Sequence, residues 1–340
     1  MVARLTIDKL RAFRVSPALW LLVPPLAVFA LSATVFSLTA FGIDDLVAAI
    51  TREWSGRAAS IDRFAEIHAR LSWAATIMIV YCTFIAAAVY SARVVGRRGA
   101  SKGRFVVVMA GLVAGSLVLA YFAYSGQAQN NFGYIFLFTY DTLAASRIYS
   151  DIQLETVRLL LFGLNALAGA VPILGLITAG CCVLAPSTNS SASEVEDLNS
   201  QMRELKILVG MGSTLMVAGI LHMVVWLQWP AALVQDVRLS GAISNFSQAM
   251  GLYWGATFSL VIAAFYLPAA RGIHRRAEAS YRAETGEPNE SGLQEWLKRN
   301  GLALALAQQM PSLLAMFAPL LAEPIGSMLA KASVSSIVGG

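Results

Sequence analysis

The sequence predicts an all-α integral membrane protein, a six-transmembrane-helix bundle with both its N- and C-termini in the cytoplasm. Three observations support this fold class. The chain of 340 residues is 57% hydrophobic and only 13% charged, whereas about 25% of the residues of a soluble domain are charged. Its apolar residues form blocks of roughly 20 or more, the length that a helix needs to cross the hydrocarbon core. These blocks do not alternate as transmembrane β-strands do.

Six apolar blocks define the predicted transmembrane domain, which covers residues 18–268. The first block is longer than the core of a signal peptide and has no convincing processing site, so we interpret it as a retained anchor. The 3 cysteines all fall within crossings and give no evidence of a disulfide. The predicted crossings, numbered one to six, are 18–41, 71–94, 105–125, 159–184, 207–229 and 248–268.

Basic residues mark the cytoplasmic side of the predicted bundle, because segments rich in lysine and arginine resist translocation. They are concentrated in residues 1–17, in the loop after crossing two and in the tail 269–340. Loops 42–70 and 126–158 are acidic or balanced and are therefore predicted to face outward. This topology explains the net charge of +5. It predicts a multi-pass inner-membrane protein that contacts membrane lipids and does not bind nucleic acid.

Both outer loops are predicted to contain ordered structure. In loop 42–70, apolar residues recur at helical spacing over residues 43–54, which indicates an amphipathic helix on the membrane surface. Ser60 is the predicted N-cap of the helix that continues into crossing two. In loop 126–158, aromatic residues alternate over residues 131–140. We interpret them as an interfacial anchor, with a constriction-lining segment as the alternative.

The inner loop 185–206 is predicted to enter crossing five through a short heptad seam that includes Leu198 and Met202. Crossings five and six are joined by a short connection, so they should be antiparallel neighbours. Their cytoplasmic extensions should emerge side by side, one acidic and the other basic. We predict that the extensions pair and that Leu198 and Met202 are sites of assembly. The alternative is a solvated acidic helix beside arginines that only set the topology.

The tail is predicted to be apolar and helical over residues 301–330, with Glu323 as its only charge. Pro311, Pro319 and Pro324 interrupt this run, and a proline inside a helix leaves a backbone carbonyl without its usual partner. We therefore predict a kinked interfacial C-terminal helical segment that lies on or dips into the inner leaflet. The alternative is a seventh crossing, which would place the C-terminus outside.

The candidate functional residues are the few polar and small ones inside the crossings. Asn165 and Pro172 lie in crossing four, and a kinked helix with an unpaired carbonyl and a nearby amide is used for solute sites in transporters. Together with His222 in crossing five, they form the candidate pore-lining or solute-lining set; helix packing and interhelical hydrogen bonds are the alternative. Gly251 and Gly255 in crossing six form a small-residue face and are further candidates for assembly.

The sequence excludes several classes of function. No Asp, Glu, Lys or Arg lies well inside a predicted crossing, which argues against ion pumping, proton-coupled transport and voltage sensing. No catalytic motif or metal-ligand spacing is recognisable, so we predict no catalytic residue, no metal site and no cofactor. The leading hypothesis is a non-enzymatic protein that acts through assembly, as a homo-oligomer or with a membrane protein partner. A passive channel or small-solute transporter is the first alternative, and a lipid-modifying enzyme is the second.

Overall fold

The structure is a computed structural model, and it describes residues 21, 23–39, 43–55, 62–98, 131–184, 194–285, 290–303 and 310–325. In these ranges the chain is almost entirely α-helical and contains no β-strand. Three helices are long and apolar enough to cross a membrane, namely Arg63–Arg97, Glu194–Leu233 and Val237–Thr285. The all-α class and a membrane-embedded protein are thus supported. Predicted crossing three, at 105–125, and the N-terminal segment 1–17 lie outside the described residues.

The described residues form nine α-helices. A single 3-10 turn, Trp229–Leu233, joins α6 to α7. In chain order the helices are α1 Val23–Thr39, α2 Ile43–Ser55, α3 Arg63–Arg98, α4 Asn131–Ala145, α5 Asp151–Leu184, α6 Glu194–Gln228, α7 Val237–Thr285 and α8 Glu290–Arg299, followed by α9 Met310–Ile325.

The antiparallel pair α6 and α7 is the centre of the fold. These two helices contact each other along their length, as predicted for neighbours that share a short connection. Helix α3 packs against α6 and α5, and α1 packs against α7. Trp226, Trp229 and Trp254 are each at most 2% exposed and fill the core near the connection between α6 and α7. Large aromatic side chains bury extensive apolar area, so this region is a strong source of packing energy.

Helices α6 and α7 are much longer than a membrane is thick. The 49 residues of α7 correspond to a length of about 74 Å at 1.5 Å per residue, against roughly 30 Å of hydrocarbon. Beyond the apolar part, Leu198 and Met202 of α6 are buried in one cluster with Ile273 and Ala277 of α7. The predicted pairing of the two extensions therefore exists within the chain.

Two helices begin at polar caps outside the apolar blocks. The backbone N–H of Phe64 donates to the Asp62 carboxylate at 2.9 Å, so Asp62 caps α3; the predicted cap, Ser60, lies outside the described residues. At the start of α5, the Gln153 N–H donates to Ser150 Oγ, and the Ser150 N–H donates to Gln153 Oε1. This reciprocal capping box starts α5 before the apolar residues of crossing four.

The aromatic run at 131–140 forms helix α4 despite its alternating pattern. Phe136 and Phe138 are both buried, although residues two apart do not share a helix face. Both can be buried because α4 is enclosed by α2, α5 and α6. These rings therefore pack inside the protein, in contrast to the predicted anchor at the lipid interface. The predicted helix in loop 42–70 is confirmed as α2, and its Ile50 is buried in the protein core; its predicted position on the membrane surface stays a prediction.

Helix α9 lies in the tail that the sequence predicted to be a kinked segment on or in the inner leaflet. It packs lengthwise on α6 and α7, with Met316 and Ala322 buried against them. The Ser213 hydroxyl of α6 donates to the Ala315 carbonyl at 2.5 Å. Pro319 lies inside the helix without ending it. Neighbouring helices supply contacts that a lone helix on a membrane surface would lack. The position of this segment relative to the membrane stays a prediction.

Candidate functional site

His222 is a deeply buried polar residue in the outer half of α6. It is 5% exposed, and its Nδ1 lies 3.3 Å from the Thr76 hydroxyl of α3. The Trp73 ring, one turn before Thr76, lies with its centroid 6.4 Å from the imidazole. The structure thus places the histidine as a link between α6 and α3, the hydrogen-bonding role that the sequence offered as the alternative to pore lining.

The hydrogen bonds at this position favour the His222 tautomer that carries its proton on Nδ1. The Thr76 hydroxyl donates to the Trp73 carbonyl at 2.9 Å, so its oxygen is left to accept from the Nδ1–H group of His222. The Nε2 atom then keeps its lone pair, and no described atom forms a hydrogen bond with it. This nitrogen can accept one hydrogen bond from a small donor such as a buried water.

Packed tryptophans fill the space around the histidine. The ring centroids of Trp73 and Trp229 are 5.3 Å apart, and those of Trp73 and Trp226 are 5.9 Å apart. Helix α4 is fixed on this cluster by two bonds, from Trp226 Nε1 to the Ile135 carbonyl at 3.0 Å and from the Thr139 hydroxyl to the Trp226 carbonyl at 2.9 Å. The described side chains around His222 are thus tightly packed at this end of α6.

A buried carboxylate lies directly outside the tryptophan cluster. Glu66 of α3 is 7% exposed; it accepts a hydrogen bond from the Tyr149 hydroxyl at 2.8 Å and lies 3.4 Å from Arg70 Nε. Burial, reinforced by the Glu66 carboxylate, raises the pKa of Tyr149. Sequence analysis assigned Glu66 only to a charged outer loop. The missed signal was its position seven residues before Trp73, which places both residues on one helix face.

Asn165 and Pro172 belong to α5 and are separated from His222. Asn165 is half-buried, and the nearby Gly163 is covered by the Tyr81 hydroxyl of α3. The backbone of Pro172 is helical. No contact between described side chains joins Asn165 to His222, whose partners are on α3. The side chain of Pro172 lies outside the described residues, so Asn165 and His222 are the two predicted solute-lining side chains that the structure describes, and it does not bring them together.

An apolar cavity of about 100 Å³ lies between α3, α5, α6 and α7. Asn165 and His222 do not line it. Among the described residues there is also no group of three or more His, Cys, Asp or Glu side chains that could hold a metal ion. An apolar space of this size does not provide polar groups for a hydrated ion or solute. Its walls include Ala87, Ser91, Gly175, Gly212, Leu215 and Phe265.

The candidate assembly residues all contact other parts of the same chain. Leu198 and Met202 are 3% and 1% exposed between α6 and α7. A Cβ atom added at Gly251 would lie 2.7 Å from Glu323 Cγ, and one added at Gly255 would lie 2.7 Å from the Pro319 carbonyl oxygen. These four positions hold the chain together, so contacts with another molecule would use other surfaces.

Polar contacts reinforce the parts of α6 and α7 that extend beyond their apolar segments and that the sequence predicts to be cytoplasmic. Arg276 donates to Gln201 Oε1 at 2.6 Å, and Gln201 in turn donates to the Asp197 carboxylate at 2.7 Å. The Ser280 hydroxyl donates to Glu194 at 3.2 Å. Burial lowers the pKa of Arg276, and the carboxylates of Asp197 and Glu194 oppose this change. The predicted acidic and basic extensions thus meet through hydrogen bonds and long-range attraction above an apolar seam.

Comparison with protein-family models, curated proteins and solved structures finds no match to this chain. Its function must therefore be argued from its own geometry.

Proposed function

We propose that this chain is a non-enzymatic inner-membrane protein that works by assembly with partner proteins or with copies of itself. The proposal rests on one helical unit, which we call the cytoplasmic unit. It consists of α8 and of the parts of α6 and α7 that extend beyond the apolar part of the bundle. An anchor needs only the apolar parts of α6 and α7, whereas their extensions and α8 add a folded polar surface. This surface serves contacts with proteins on the cytoplasmic side.

The cytoplasmic unit is a packed structure with its own small core. Leu293 and Leu297 of α8 are 7% and 0% exposed, and Trp296 contacts the Tyr281 ring of α7 at a centroid distance of 5.4 Å. The imidazole of His274 donates from Nδ1 to the Leu302 carbonyl at 3.0 Å, which holds the chain after α8 against α7. A pre-ordered unit binds partners without a large cost in conformational entropy.

The packed interior supports assembly over solute passage. The tryptophan cluster occupies the outer half of the described bundle, and the cavity in its inner half is apolar. A solute path needs polar groups at successive depths. Asn165 and His222 lie on different helices, and no contact between described residues joins them into such a series.

For the membrane arrangement, we propose crossings one to six as the sequence predicts, with residues 1–17 and the end of α7 in the cytoplasm. The basic residues near the end of α7 support this orientation, since Arg271, Arg275 and Arg282 are all exposed there. Near an anionic inner leaflet each such residue contributes about 1 kcal/mol of attraction.

Site-specific photo-crosslinking in native membranes tests the proposal. A photoreactive residue at Arg203 or Gln294, both exposed on the cytoplasmic unit, should form discrete adducts of fixed mass. The same residue at Leu260, which is 59% exposed on the apolar part of α7, is the matched control and should yield lipid adducts.

In parallel, vesicles containing the purified protein should be no more permeable to ions or small solutes than empty ones. A monomeric protein without cytoplasmic adducts, whose vesicles leak solutes in a manner altered by His222→Ala, would overturn the proposal in favour of a channel.

A further inference from the structure

We infer that α9 is the central part of a seventh membrane crossing, which places residues 326–340 on the outer face. This inference is independent of the proposed function, because it depends only on where α9 contacts α6 and α7. It also changes the topology expected from the sequence, in which both termini were cytoplasmic.

The contacts of α9 progress in order from the inner to the outer end of crossing six. Ser312 is hydrogen-bonded to Tyr266, two residues from the predicted inner end at 268. Further along, the Pro319 carbonyl lies against Gly255, and Glu323 lies against Gly251, close to the predicted outer end at 248. Helix α9 therefore runs antiparallel to α7 through the whole depth of that crossing.

The contacts with α6 give the same direction. Ala315 accepts a hydrogen bond from Ser213 in the inner half of crossing five, whereas Ala322 packs with Ile220 and Val224 in its outer half. The contacts with α6 and those with α7 thus place each end of α9 at the same depth. A segment that lay flat on the inner leaflet would not contact residues near the outer end of either helix.

The main argument against a crossing is the proline inside α9, and the hydrogen bond from Ser213 answers it. Pro319 has no N–H, so the carbonyl of Ala315 four residues earlier loses its intrahelical partner. In hydrocarbon no water can replace it. The Ser213 hydroxyl supplies the missing donor. The proline is therefore compatible with a position deep in the bilayer, provided that α9 keeps this alignment with α6.

The outer surface and the ends of α9 suit contact with lipid. Its 16 residues correspond to about 24 Å, and the polar Gln308–Gln309 precede this stretch. Glu323, the only charge of the apolar tail, lies at the level where crossing six meets the outer interface. The face turned away from the protein carries bulky apolar side chains that are 44% to 63% exposed: Met310, Leu314, Phe317, Leu321 and Ile325. Lipid acyl chains are the partner that this face fits.

Cysteine accessibility in intact cells tests the crossing. The native residues Cys82, Cys181 and Cys182 are first replaced by alanine, and single cysteines are then introduced by Ser335→Cys or by the cytoplasmic control Arg282→Cys. A membrane-impermeant maleimide should label the S335C protein in intact cells but label the R282C protein only after permeabilisation. If S335C is not labelled from outside, the seventh crossing is overturned.

Disulfide formation tests the packing of α9 separately. The Cβ atom of Glu323 lies 3.1 Å from the position of a Cβ atom added at Gly251, close to the roughly 3.5 to 4.5 Å found in disulfides. Oxidation should therefore link Gly251→Cys to Glu323→Cys, with Val224→Ala added because a Val224 methyl would contact the new side chain. The control pair uses Leu321→Cys, on the face turned away from α7. Equal linking of both pairs, or of neither, would contradict the placement of α9.

Discussion

Hydroxyl groups inside the bundle are used to connect helices. Thr139 of α4 donates to the Trp226 carbonyl, and Ser247 of α7 donates to the Val224 carbonyl at 3.0 Å. Ser213 makes the equivalent bond to α9. Because hydrocarbon offers no competing water, a buried hydroxyl needs such a partner. Isolated polar residues in an apolar sequence thus mark helix contacts here, and they need no catalytic or transport role.

The energetic cost of removing the Ser213 hydroxyl should depend on whether Pro319 is present. We expect Ser213→Ala to lower the free energy of unfolding by about 0.6 to 2 kcal/mol, because the Ala315 carbonyl then has no donor. In a Pro319→Ala background the restored N–H supplies that donor, so the same change should cost much less. The SDS concentration at the unfolding midpoint in micelles measures both effects. Equal costs in the two backgrounds would show that the two residues act independently.

Glycines on the two faces of α7 should differ in their tolerance of alanine. A Cβ at Gly255 would lie 2.7 Å from a backbone oxygen and 3.1 Å from Leu320 Cα, whereas one at Gly272 would meet nothing within 4 Å. We expect Gly255→Ala to destabilise by about 1 to 3 kcal/mol through overpacking. Gly272→Ala is the matched control and should be neutral or stabilising by up to about 1 kcal/mol. Similar unfolding midpoints for both variants would refute the close approach of α9.

At the scale of elements, sequence patterns identified helix interiors better than helix ends or partners. The amphipathic spacing in the first outer loop correctly predicted α2. The ends of α3 and α5 extend beyond the apolar blocks, because Asp62 and Ser150 cap them in polar sequence. The alternating aromatics were misleading because α4 is covered on several sides. Apolar periodicity shows which face of a helix is buried only when the helix buries a single face.

The seam between the cytoplasmic extensions gives a test at this scale. Leu198 is 3% exposed, so Leu198→Asp introduces a buried carboxylate without a partner and should destabilise by about 3 to 5 kcal/mol. Asn199→Asp adds a carboxylate at the next position, which is exposed, and should have little effect. Protease sensitivity of the cytoplasmic unit, together with the unfolding midpoint, measures the difference. If the two variants behave alike, the seam does not hold the extensions together.

For the whole molecule, composition and charge were sufficient to predict a membrane-embedded helical protein, but not how its helices meet. The spacing of Gly251 and Gly255 indicated a contact face but not which segment packs against it. The partner, α9, is separated from them by the entire cytoplasmic unit. Likewise, nothing in the sequence around His222 indicated Thr76 as its partner. Such long-range contacts depend on complementary shapes from distant segments, which local patterns do not encode.

Removing α9 should convert this internal contact into an intermolecular one. A chain that ends at Ala303 leaves the glycine face of α7 uncovered, and small-residue faces favour close association of membrane helices. We expect this truncated protein to unfold at lower SDS concentration and to form dimers or larger species in mild detergent, as measured by native mass spectrometry. Gly255→Ile in the truncated chain should prevent the association, and adding a peptide of residues 304–330 should reverse it. Removing a packed helix exposes the apolar face of α7 that it covered, which should change either stability or association. A truncated protein with unchanged size and stability would therefore mean that α9 contributes no packing energy.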